Sequence, residues 1–233
     1  MFAVLRYVPR RGRRIEVIRT DVPLGAPFYT LCVPTRRKTD WSAVRRLLRG
    51  VPLLLPEGMV IPPEIEPSVF RPKRLPLLLA AYTAAEHSPY PPGETRLGVF
   101  DPDGALCGRT ERLLTAAGDV RIVTARPERF ASDVRQAMER YGAVLSVGQS
   151  ASLLIDCNIL ACANTAKLPA GCTARTVWCL VNGSGDPHAA PLRTVTLPPK
   201  YNMLCPAEVN VLHFASALYE CCGVAAMENS IFR

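Results

Sequence analysis

Apolar and polar positions alternate from Met1 to Val8 and again from Arg13 to Val22, a period of two that predicts strands. The PRRGR break between them predicts a hairpin, and Phe28 to Pro34 reads as a third short strand. The period then lengthens. In WSAVRRLLRG, Val44, Leu47 and Leu48 recur at helical spacing, with Arg45, Arg46 and Arg49 on the opposite side. Asp40 is placed to cap that helix and Gly50 to close it. Prolines at 52, 56, 62, 63, 67 and 72 exclude long helices over the next stretch, which becomes a winding connection with one strand at Leu53 to Leu55. A helix from about Leu75 to Glu86 then carries Pro76 in its first turn, where proline is tolerated.

Beyond the turn-rich HSPYPPGETR the pattern becomes a regular alternation of strand and helix. Leu97 to Asp101, Val120 to Thr124, Val144 to Val147, Ile159 to Ala163 and Thr176 to Val181 read as strands, with Val195 to Leu197 as an edge strand. Between them fall a helix over 106–117 closed by Gly118, a long helix from Pro127 to Tyr141 with Phe130, Val134, Ala137 and Met138 on one face, and a helical turn in SASLLID. A last helix spans Pro206 to Cys222. Such alternation implies an α/β fold: a parallel sheet with helices on both faces. Residues 96 to 223 resemble a Rossmann-type domain, and the chain divides into a basic α+β unit over 1–94 and a Rossmann-like domain over 95–233.

The 48% hydrophobic and 21% charged content is that of a globular chain with an ample core at 233 residues. No apolar run reaches the ~18 residues of a membrane span, and the basic residues of MFAVLRYVPRRGRR sit on the wrong side of its short apolar run for a signal peptide. The expectation is a soluble, cytoplasmic protein. Nine cysteines in irregular spacing, without a CxxC pair, read as free and mostly buried thiols rather than a disulfide or zinc framework. Charge adds an asymmetry: residues 1 to 50 hold twelve Lys or Arg against three acids, a net +9 beside +8 for the whole chain, which leaves the remainder at −1. A basic segment of that kind is suited to nucleic acid or a phosphorylated ligand, although no aromatics are interleaved for base stacking.

Ligands of open parallel sheets bind beyond the carboxyl ends of the strands. Here those ends carry Asp101, Asp103, Gly104 and Gly108 in DPDGALCGR, Thr124 and Arg126 with Arg129 in TARPER, Asn164, and Asn182 in NGSGDPH. Gly104 and Gly108 do not make a GxGxxG fingerprint, and two aspartates beside a pyrophosphate repel it unless a cation intervenes. TARPER is similar to the loop with which shikimate dehydrogenase-like proteins hold the adenosine phosphate of NADP. That resemblance implies NADP as cofactor and Arg126 or Arg129 as its phosphate contact. VFDPDGAL and IVTARP resemble the first two motifs of haloacid dehalogenase-like phosphatases. This second resemblance implies Asp101 as nucleophile, Asp103 as proton donor, Thr124 on the phosphate, and Mg²⁺. Residues 105 to 119, however, hold one helix and not that family's squiggle and flap, and no later strand end carries an acidic pair.

Lys200, Tyr201 and Asp186 are further candidates for the same cleft, whereas His213 and Cys205 match no nucleophile or base motif. The reading that unites these observations is a Rossmann-like protein that binds a nucleotide or phosphorylated small molecule, or a degenerate NAD(P)-type domain. Its alternatives are a divergent NADP-dependent oxidoreductase, a Mg²⁺-dependent phosphatase using Asp101, and nucleic-acid binding through the basic first fifty residues.

Overall fold

The computed structural model describes residues 1–9, 14–35, 39–164, 176–181, 189–190 and 195–227. The chain forms two compact units, Met1–Pro72 with Val195–Ile231, and Lys73–Thr194.

The first unit contains β1 (Ala3–Val8), β2 (Glu16–Thr20), β3 (Phe28–Pro34), α1 (Trp41–Leu48) and β4 (Leu53–Leu54), then α5 (Pro199–Asn202) and α6 (Val211–Cys222). Its sheet runs β2-β3-β1-β4, with β1 parallel to both β3 and β4 and β2 antiparallel to β3. The hairpin predicted for the first two strands therefore does not form, because β3 lies between them. Burial gives the reason. Ala3, Val4 and Leu5 are buried in succession, so β1 must be covered on both faces and paired on both edges, while β2 is exposed along most of its length and suits the edge.

Val44 and Leu48 of α1 pack with Leu5, Leu31, Val33 and Ile65, whereas Leu47, predicted beside them, is 47% exposed. Asp40 does cap this helix, its carboxylate accepting from Ala43 N–H at 3.0 Å, and Arg49 and Gly50 close it with φ of 48° and 84°. Phe214 of α6 meets Phe2 and Phe28 edge-on, with centroids 5.8 and 5.6 Å apart. That helix starts at Val211 instead of Pro206, capped by Asn210, whose amide oxygen accepts from Leu212 and His213 N–H.

The second unit contains α2 (Arg74–Glu86), β5 (Arg96–Phe100), α3 (Glu111–Ala116), β6 (Asp119–Val123), α4 (Ala131–Gln136), β7 (Val144–Gly148), β8 (Ile159–Asn164), β9 (Thr176–Val181) and β10 (Ala189–Ala190). All six strands are parallel, in the order β10-β9-β8-β5-β6-β7. Counted from β5 as the first, that is 6-5-4-1-2-3, the strand order of dinucleotide-binding folds. The unit is Rossmann-like. Leu97, Gly98 and Val99 are buried in succession, so β5 is covered on both faces. At Gly98 a Cβ would stand 2.5 Å from Leu160 Cδ2 and 2.9 Å from Leu154 Cδ2, so the glycine admits the 3-10 turn Ala151–Leu154 against the strand. Every residue of α2 from Leu75 to Ala85 is buried.

Three predicted elements differ. The helix expected over 106–117 is confined to α3, because residues 102–109 are shaped into turns by the carboxylates of Asp101 and Asp133. The helix from Pro127 to Tyr141 opens with a 3-10 turn at Pro127–Phe130 and ends in a π turn at Ala137–Tyr141. Those changes of pitch move the buried face: Phe130, Asp133 and Ala137 are inside, while Val134 and Met138 are 41% and 64% exposed. No strand occupies Val195–Leu197, and the described edge strand is β10.

Candidate functional site

β5 is the strand at which the sheet order reverses, so its carboxyl end, flanked by β6 and β8, is where a ligand of this fold is sought. The residue that follows β5 is Asp101, which is fully buried. Its carboxylate accepts from the N–H groups of Ala105 at 2.8 Å and Leu106 at 2.9 Å, and its own N–H donates to the Val123 carbonyl at 2.9 Å. Burial pushes the Asp101 carboxyl above the ordinary carboxylate range, against the lowering pull of those amides. Asp103, exposed two residues further on, adds to the upward push.

A second carboxylate finishes the turn. Asp133, buried on α4, accepts from Gly108 N–H at 3.1 Å and from the Thr110 hydroxyl at 2.8 Å. Gly104 and Gly108, with φ of 70° and 72°, supply the left-handed positions that this path needs. Sequence reasoning missed Asp133; the available signal was an acid sharing the Phe130 and Ala137 side of a helix.

The two amides closest in kind to those of a pyrophosphate cradle, Ala105 and Leu106, are thus already bonded to Asp101. The first turn does not fit the pyrophosphate of a dinucleotide: its donors are taken and its acceptor carries the wrong charge.

The second strand end offers the opposite chemistry. Thr124 is buried after β6, donates its N–H to the Gly148 carbonyl at 2.9 Å and accepts from Arg126 N–H on its hydroxyl at 3.3 Å, which fixes the course of the TARPER turn. Arg126 and Arg129 are both exposed, and neither forms an ion pair with a described residue. Arg129 folds back over the first turn. A Cβ on Gly104 would lie 3.3 Å from its guanidinium, 3.8 Å from the Phe130 ring and 3.9 Å from the Thr124 hydroxyl. The fold therefore brings together Asp101, Gly104, Thr124 and Arg129, with Arg126 in the same turn as Arg129.

Of the other predicted residues, one ends the neighbouring strand β8, two lie outside the described residues and four belong to the first unit. Asn164 is the last residue of β8, and its backbone registers with Val181. Asn182 and Asp186 lie outside the described residues. Lys200 and Tyr201 belong to the first unit, where the buried Tyr201 donates its hydroxyl to the Pro23 carbonyl at 3.0 Å. His213 and Cys205 also belong to that unit. Burial lowers the His213 pKa against an upward pull from Glu57, and pushes the Cys205 thiol up to about 11. Cys32, Cys107, Cys157, Cys162, Cys205, Cys221 and Cys222 are free, and among the described residues no cluster of three or more His, Cys, Asp or Glu could hold a metal ion. No helix among them is long and apolar enough to cross a membrane.

No family model matches the chain, and no curated protein matches it. Among solved structures it is similar to an L-tryptophan dehydrogenase from Nostoc punctiforme, at 12% identity and a TM-score of 0.34, over 91% of this chain and 66% of that one. The chain thus spans just under two thirds of that enzyme's length, and a likeness of this degree fixes neither family nor chemistry.

Proposed function

We propose that the Rossmann-like unit binds a phosphorylated small molecule or nucleotide at the carboxyl edge of β5 and β6, held through a phosphate by Arg126 and Arg129. The observation that carries this reading is the pair of exposed guanidiniums on one short turn, without an ion-pair partner among the described residues, one of them lying against Gly104. A phosphate dianion between two arginines gains charge-assisted hydrogen bonds of ~1.5–3 kcal/mol each, which an uncharged ligand does not. Thr124 acts beneath them as a positioning residue. Gly104 keeps the first turn low enough for Arg129 to cross it.

The same turn would hold the 2′-phosphate of NADP, and the occupied first turn disfavours contact with the pyrophosphate. NADP and phosphomonoesters are accordingly expected to bind, and NAD far less well. A thermal-shift screen with NADP, NAD and ATP tests the reading: stabilisation by NADP but not NAD supports it, and no shift with any of the three would count against it. A divergent NADP-dependent oxidoreductase would share this binding mode. Phosphatase chemistry at Asp101 takes second place, because both carboxylate oxygens already accept backbone N–H bonds in a buried position. Mg²⁺-dependent phosphatase activity abolished by Asp101→Asn would restore it.

A further inference from the structure

In the first unit, we infer that the outer face of α1 is a docking surface for the phosphate backbone of a nucleic-acid duplex. Arg45, Arg46 and Arg49 are all exposed there, within little more than one helical turn, while Val44 and Leu48 fix the opposite side in the core. Several other arginines have carboxylate partners, Arg6 with Glu208, Arg19 with Asp21, Arg71 with Glu66, Arg112 with Glu86 and Arg121 with Asp119, although Arg126 and Arg129 of the second unit do not. The three on α1 have none among the described residues.

Arg45 and Arg46, in the last turn, and Arg49, the left-handed C-cap, bring three like charges within five residues, and no acidic residue lies on this helix to offset them. Their place in the last turn offsets the helix dipole, but that effect is served by one or two cations. A polyanion with closely spaced phosphates complements such a face.

The choice of a duplex over a single strand follows from the aromatics. Unpaired bases need rings to stack on, and the one aromatic of α1, Trp41, packs against the core cluster. A duplex keeps its bases stacked and presents phosphates alone, so binding is expected to be independent of sequence and strongly dependent on salt.

Fluorescence anisotropy with a short labelled duplex of mixed sequence, titrated over a range of salt, tests this on the full chain. Replacing all three arginines by alanine is expected to lower the slope of log K against log salt by ~2–3, at ~0.9 per lost phosphate contact, while the Arg45→Lys/Arg46→Lys/Arg49→Lys protein keeps it. Circular dichroism establishes that both variants fold. Absent binding, an unchanged slope in the alanine variant, tighter binding to a single strand of the same length, or tighter binding to anionic lipid vesicles would each overturn the inference.

Discussion

Asp101 and Asp133 determine what the turn after β5 can do, because each takes backbone or hydroxyl hydrogens that a ligand would otherwise meet. Removing Asp133 leaves Gly108 N–H and the buried Thr110 hydroxyl without their acceptor. Asp133→Ala is therefore expected to lose about 2 kcal/mol in urea unfolding, and a loss below ~0.5 kcal/mol would contradict the role given to it. Asp101 makes a prediction in pH. Its folded carboxyl is raised above the unfolded value of ~3.9, so between the two values the folded state binds more protons and stability falls as pH rises. The contribution is complete below pH ~4 and is lost as pH climbs through the raised value. Most carboxylates act in the opposite direction, so the measurement is the difference between wild type and Asp101→Asn in unfolding free energy from acid to neutral pH. That difference should decline with rising pH, and a flat one would contradict the assignment. Neither carboxylate's partners were legible in the sequence. Asp101 was visible as a strand-end acid, but the amides it binds are four and five residues on, and Asp133 reaches its partners across more than twenty residues.

Among the elements, those whose period is uniform were the legible ones. Strands β5 to β9 and the capped α1 follow from the alternation of elements, spacing and Asp40 alone, whereas β10 does not. The helix after Pro127 did not, since a 3-10 start and a π end rotate side chains at different rates, and no single period places Met138 outside and Asp133 inside. The first two strands look like a hairpin in sequence because local alternation says nothing about which edge a strand occupies. That choice is made by burial, with β1 central and β2 peripheral. Gly98 shows the same limit within β5. A glycine in a strand weakens it, and the reason for this one is the approach of Leu154 and Leu160. Gly98→Ala is expected to cost ~1–3 kcal/mol by overpacking, and Leu154→Ala in the same chain should recover part of that loss. Strictly additive losses in a double-mutant cycle would show that the contact is not the cause.

At the level of the whole chain, the parallel α/β character was legible from the alternation of elements, and the strand order then gives the Rossmann-like arrangement. The assignment of Val195–Ile231 to the first unit was not legible, because only packing such as that of Phe214 on Phe2 and Phe28 records it. The proposed function follows from an inversion of the usual dinucleotide arrangement: the first turn is filled by its own aspartate, and the second carries two arginines with no ion-pair partner among the described residues. Isothermal titration of NADP and NAD into the wild type and into the Arg126→Ala/Arg129→Ala variant tests that most directly. The account predicts that the wild type binds NADP at least ~10-fold more tightly than NAD, and that the variant loses this preference, a change of ~1.4 kcal/mol or more. Equal binding of the two cofactors by the wild type, or a preference for NADP that survives in the variant, would contradict it.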